Sequence, residues 1–120
     1  MCSLTGDTIE VVRDIFLFIE SEQKPVNRII IPQYQQEEID TLIPILEKEG
    51  FLKGYVLEKS TGIEFSIVDL SEKGYKFLHL SIDDSRWDKT KKLAEKDEKI
   101  TIPELYGYLE QLYYQSFSEN

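Results

Sequence analysis

The chain has 120 residues, of which 41% are hydrophobic and 31% charged, proportions that suit one folded globular domain and exclude a disordered chain. Apolar runs such as Ile15-Phe16-Leu17-Phe18-Ile19 fall far short of the about 20 residues a membrane-spanning helix needs, so no membrane is expected. A net charge of −9 favours solubility and repels phosphate backbones, which weighs against non-specific nucleic-acid binding.

The N-terminus, Met1-Cys2-Ser3-Leu4-Thr5-Gly6-Asp7, has no basic run followed by an apolar block, so a cytoplasmic protein is expected. Cys2 is the only cysteine, which rules out an intrachain disulfide and a multi-cysteine zinc site. Asp7 and Thr8 are good cap residues, and Ile9, Val12, Ile15, Phe16 and Ile19 recur at helical spacing, predicting a helix from about Thr8 to Ser21. Pro25 discourages its continuation. Arg28-Ile29-Ile30-Ile31, closed by Pro32, reads as a brief strand. A second helix is expected from Gln35 to Glu49, with Ile39, Leu42, Ile43 and Leu46 on one face and Gly50 as its stop. Pro44 lies inside it and removes one hydrogen bond at a cost of roughly 3 kcal/mol, which predicts a kink or a restart.

Leu52–Leu57 and Ile63–Leu70 read as the two strands of a hairpin around the turn Glu58-Lys59-Ser60-Thr61-Gly62. Ile63, Phe65 and Ile67 alternate with Glu64 and Ser66, so one face is expected to be buried. Ser71 caps a helix carrying Tyr75, Phe77 and Leu78 as far as Ile82, and a charged helix follows from about Arg86 to Asp97. Thr101-Ile102-Pro103-Glu104 is a capping box opening a last helix with the stripe Leu105, Tyr106, Leu109, Leu112, Tyr113 and Phe117. The order helix, strand, helix, hairpin, helices outlines an α+β winged helix with additional C-terminal helices. One domain over 1–120 is expected, with 84–120 as a helical extension packed on it.

The residues also carry a resemblance. Leu46-Glu47-Lys48-Glu49-Gly50-Phe51-Leu52 resembles the third helix of winged-helix regulators running into the wing. Leu70-Ser71-Glu72-Lys73-Gly74-Tyr75-Lys76-Phe77-Leu78 is similar to the stretch that follows that wing. Ile82-Asp83-Asp84-Ser85-Arg86-Trp87-Asp88-Lys89-Thr90-Lys91 resembles the tryptophan signature of a bacterial and phage family of unknown function related to the YjcQ-like winged helices. The resemblance implies a fold and a bacterial or phage setting, and no activity. Two departures stand out. The second helix of a helix-turn-helix is reduced to a few residues around Gln33–Gln36, and Pro44 interrupts the helix in the recognition position.

The polar residues of that helix include Gln35, Gln36, Glu37, Asp40 and Thr41, and acids outnumber bases. They read as a solvated acidic face or as a protein-binding face, with DNA readout through Gln35, Gln36 and Thr41 as a minority option. Tyr108 and Tyr114 fall off the stripe of the last helix, which suggests a partner or a homodimer seam. Arg86, Lys89, Lys92 and Lys96, with Lys59 of the wing, are the candidate nucleic-acid contacts of the rival reading. Against it stands a helix laced by same-helix pairs among interleaved acids. Trp87 reads as a packing anchor, and Asp83-Asp84 as an N-terminal cap. His79 is the only histidine; no nucleophile elbow or phosphate-cradling glycine loop exists, so neither an enzyme nor a cofactor is expected. The sequence therefore points first to a protein-interaction module binding a protein partner or itself. The alternative is a dimeric DNA-binding regulator, and an enzyme of scattered carboxylates comes third.

Overall fold

The computed structural model describes residues 6–23, 26, 28–58, 64–96 and 100–118, and among these all side chains but those of 6, 7, 55–58, 64–67 and 118. Their elements run in the order α1 (Gly6–Glu22), α2 (Gln36–Lys48), β1 (Leu52–Glu58), β2 (Glu64–Leu70), α3 (Glu72–Ser81), α4 (Asp84–Glu95) and α5 (Ile102–Ser118). The class is α+β: helices gathered around a two-stranded antiparallel sheet in which Leu52 faces Leu70 and Glu58 faces Glu64.

Helix α1 already includes Gly6, so Asp7 and Thr8 sit in its first turn rather than at its cap. Its apolar positions bury as their spacing requires: Ile9, Val12, Ile15, Phe16 and Ile19 are all at most 2% exposed. The strand expected at Arg28–Ile31 does not form. The extended pairing falls instead on Val26, which exchanges both backbone hydrogen bonds with Val68 at 2.8 and 2.7 Å on the edge of β2 away from β1. From Arg28 the chain leaves that edge while still alternating, with Ile29 and Ile31 buried and Ile30 exposed. The Ile29 carbonyl accepts from the Gln36 side chain and the Ile31 carbonyl from the Tyr34 N–H, so turn and helix-start contacts replace a ladder. Residues 32–34 form only a turn, where a helix-turn-helix would have its second helix.

Helix α2 runs through Pro44 as one element and does not restart. Asp40, whose carbonyl loses the Pro44 N–H as partner, and Pro44 itself are both exposed, so water can solvate the freed oxygen. The helix closes with Gly50 at φ +86°, its N–H bonded to the Glu47 carbonyl, while the Phe51 N–H reaches Leu46. This pair of bonds is the Schellman ending, and Leu46 and Phe51, the positions whose apolar contact commonly accompanies it, are both buried. The two strands pair as expected, with Glu58, expected in the turn, lying in β1; the rest of the expected turn, 59–62, and the side-chain alternation expected over 63–67 lie outside what is described. At the β2 end, Val68 and Leu70 are buried.

Ser71 caps α3 by accepting from the Gly74 N–H, and its hydroxyl donates to the Gly50 carbonyl. Gly74 has no room for a side chain: a Cβ there would lie 2.1 Å from the Phe51 carbonyl oxygen. The Ser-x-x-Gly of this stretch thus fixes α3 against the turn between α2 and β1. Asp83 caps α4 through the Arg86 N–H. The capping box of α5 forms in both directions, the Thr101 N–H donating to the Glu104 carboxylate and the Glu104 N–H to the Thr101 hydroxyl.

The core is organised by aromatic rings. Phe16 of α1, Phe51, Phe77 of α3, Trp87 of α4 and Tyr106 of α5 form one connected cluster with centroid separations of 4.9 to 6.3 Å. Through Trp87 and Tyr106, α4 and α5 share the core of the preceding elements. The last helix departs from its expected stripe. Ile102, Leu105 and Leu109 are buried, Leu112 and Tyr113 are half-buried, and Phe117 is 61% exposed, because the final turns run past the body of the domain. Tyr108, expected off the stripe, packs partly buried against the core.

Candidate functional site

The tryptophan signature proves to be a clamp. Trp87 is 1% exposed, stacks edge-on to Phe77, and donates its indole N–H to Glu10 on α1 at 3.1 Å. Lys91, one turn further on, bonds the same Glu10 carboxylate and also pairs with Asp88. Asp84 accepts from Arg13 at 3.0 Å, and the Arg13 guanidinium lies 5.3 Å from the centre of the Trp87 ring. Burial pushes the Glu10 carboxyl up. The hydrogen bonds from Lys91 and Trp87 and the charges of Lys91 and Arg13 outweigh that and hold it below its ordinary value. For Lys91 the Glu10 bond dominates over burial and raises the ammonium. Arg86, a candidate nucleic-acid contact, is half-buried. It donates to the Leu80 carbonyl at 2.8 Å and lies 5.1 Å from the Tyr113 ring, so it ties α3 and α5 to α4.

The three lysines named with it behave differently. Lys89, Lys92 and Lys96 are exposed, and among the described residues none of them makes a salt bridge. Among the described residues, the same-helix pairs expected in this stretch reduce to Asp88–Lys91, and Asp97 and Glu98 lie outside them. Lys89, Lys92 and Lys96 share one face of the helix; Lys92 stands four residues from Asp88 and three from Glu95, spacings that allow pairing, yet neither pair closes. The three lysines surround a groove of about 250 Å³ whose floor is Leu93 and Leu112, between α4 and α5. An adjoining opening of about 200 Å³ shares Lys89 and Leu112 and extends to Arg86, Asp83 and Gln115. Lys59, expected at the hairpin turn, lies outside the described residues. Sequence spacing shows the lysine face; Leu112 beneath it, some twenty residues away in the chain, has no such signal.

The outward face of α2 is acidic. Gln35, Glu37, Asp40 and Thr41 are exposed, and Lys48 is the one base of the helix. Gln36 is committed to the fold, bonding the Ile29 carbonyl and Asp40, and the Thr41 hydroxyl turns back to the Glu37 carbonyl. Tyr34, in the preceding turn, donates to Asp14 of α1; burial, then the Asp14 bond and charge, raise its phenol well above the ordinary value. Beside α2 lies a groove of about 360 Å³, bordered by Asp40, Ile43, Pro44 and Glu47 and, across it, by Arg28 and Val68. The sequence reading missed this groove because its walls come from separate segments, α2, the stretch of Val26, Arg28 and Ile29, and Val68 of β2, which only the fold brings together.

At the end of α5, Tyr113 contacts Tyr114 at 5.5 Å and Phe117 at 4.9 Å, both edge-on, and the outer two rings are 59% and 61% exposed. Tyr114 is thus exposed as expected, joined by Phe117 in place of Tyr108. Among the described residues no three of His, Cys, Asp and Glu converge as metal ligands, and no helix is long and apolar enough to cross a membrane.

These features define a small α+β domain in which a Trp-centred clamp binds α4 to α1. The family model described as Hypothetical protein (DUF2513) matches residues 8–100, which include the whole Ile82–Lys91 signature, and the chain belongs to that family of unknown function. The match ends before α5. Neither a curated protein nor a solved structure matches the chain.

Proposed function

We propose that the chain is a protein-interaction module without catalytic activity, built on a winged-helix frame of the YjcQ-like kind and acting in a bacterial or phage cytoplasm. The frame is supported by the order helix, paired segment, helix, hairpin, and by Val26 bonding the far edge of β2, which sets three extended segments side by side. The observation that carries the interaction reading is the ring cluster of Tyr113, Tyr114 and Phe117, two of its rings mostly in solvent at the end of a helix. Exposed aromatic side chains of this kind are the common anchors of protein interfaces. The acidic face of α2, in the position that would enter a DNA groove, supports the same reading, because each carboxylate there repels phosphate.

One observation favours the alternative, a dimeric DNA-binding regulator: Lys89, Lys92 and Lys96, without a salt bridge among the described residues, share one face of α4. Sedimentation of the full chain and of a Tyr114→Ser/Phe117→Ser variant, over a range of concentrations, tests the interaction reading in its simplest form. Removing all of α5 would take Leu105 and Leu109 out of the core, so the two exposed rings are the informative change. Association by the natural chain that the double variant loses supports the module. Association left intact by the variant removes the ring cluster from the interface.

A further inference from the structure

The groove between α4 and α5 is explained by neither the core nor the Trp87 clamp. A chain with 23 acids and 14 bases has carboxylates to spare, yet Lys89, Lys92 and Lys96 form no salt bridge among the described residues. Lys92 and Lys96 stand four apart, a like-charge spacing that works against the helix. The negative end of the α4 dipole favours cations at Lys92 and Lys96, but not at Lys89, and it does not account for two leucines lying beneath all three. Such a surface gains most when something negative and partly apolar covers it.

We propose that this groove docks an acidic polypeptide segment of a partner protein. Carboxylates of the segment meet Lys89, Lys92 and Lys96, and one of its apolar side chains fills the space over Leu93 and Leu112. The inference rests on the interaction reading above and names its partner's chemistry. Charge complementarity selects an acidic occupant, and the leucine floor selects a polypeptide over a nucleic acid, because a phosphate backbone has nothing apolar to place there. The opening of about 250 Å³ suits one leucine- or phenylalanine-sized side chain. The net charge of −9 also penalises a long polyanion more than a segment with a few carboxylates.

The test uses the full chain, isotope-labelled for amide NMR and titrated with three probes at low salt. The first is a short synthetic peptide of Glu and Asp interspersed with Leu and Phe. The second has the same charges with Ser replacing Leu and Phe, and the third is a DNA duplex. The first peptide is expected to shift amides along α4 and α5 around the groove, with the second binding at least about tenfold more weakly. Lys89→Glu/Lys92→Glu, which changes exposed side chains that make no salt bridge among the described residues, is expected to cost the first peptide at least about tenfold in affinity. Equal binding of the two peptides, no shifts at α4 and α5, or an unaffected double variant would each overturn the docking site. The reading as an interaction module then stands or falls separately on its own sedimentation test. Tighter binding of the duplex at the same amides would overturn the peptide site in favour of nucleic acid.

Discussion

Gly74→Ala is the most severe test of how the fold is held. The added methyl would stand 2.1 Å from the Phe51 carbonyl oxygen, 3.2 Å from its carbon and 3.3 Å from Leu70 Cδ2, so backbone must move by about 1 Å to admit it. That carbonyl also accepts the Ser71 N–H at 3.2 Å, and the Phe51 ring sits among Phe16, Phe77 and Tyr106, so movement disturbs a hydrogen bond and the centre of the core together. Overpacking of a well-filled site costs about 3 kcal/mol and the weakened hydrogen bond about 1 kcal/mol, while the better helix propensity of alanine returns about 1 kcal/mol. The net loss of about 3 kcal/mol corresponds to a fall of about 12 °C in Tm for a domain of this length. Urea unfolding followed by the fluorescence of Trp87, the only tryptophan, measures it directly. A variant as stable as the natural chain would refute the close approach of α3 to Phe51.

Three further outcomes follow from the clamp and from α2. Trp87→Phe removes the bond to Glu10 and part of the ring volume, and is expected to cost about 1–3 kcal/mol by thermal unfolding; an unchanged Tm would contradict the clamp. The Glu10 carboxyl is held below its ordinary value in the folded chain, so its contribution is present above the ordinary carboxylate range and is lost as pH falls through the lowered value. Glu10→Gln should therefore show a shallower acid limb in urea midpoints below about pH 5, and parallel limbs for both proteins would count against it. Pro44→Ala restores the N–H that can bond the Asp40 carbonyl and is expected to stabilise the domain by about 1–3 kcal/mol, a gain that calorimetry would show and whose absence would contradict a helix continuous through residue 44.

The elements were legible where local chemistry decides them. Ser71, Asp83 and the Thr101–Glu104 box fixed helix starts, Gly50 fixed a stop, and the period of α1 identified its buried face. Arg28–Ile31 misled because its β-branched composition favours a strand, while pairing depends on which neighbour is within reach, and among the described residues of this stretch it is Val26 that pairs with β2. Of the kink or restart expected at Pro44, the restart does not occur, since α2 stays one element from Gln36 to Lys48. The signature residues were visible as a pattern, but their work joins Glu10 and Arg13 to α4 across more than seventy positions, beyond any local signal. The aromatic end of α5 was visible by composition; which rings stay in solvent depended on where the helix leaves the core.

Titration of the full chain with duplex DNA, at low and then at moderate salt, tests the central claim most directly. A protein-interaction module with an acidic α2 face predicts no measurable binding even at low salt. Binding that falls steeply with salt, and that Lys89→Glu/Lys92→Glu weakens, would contradict it and return the domain to the DNA-binding class.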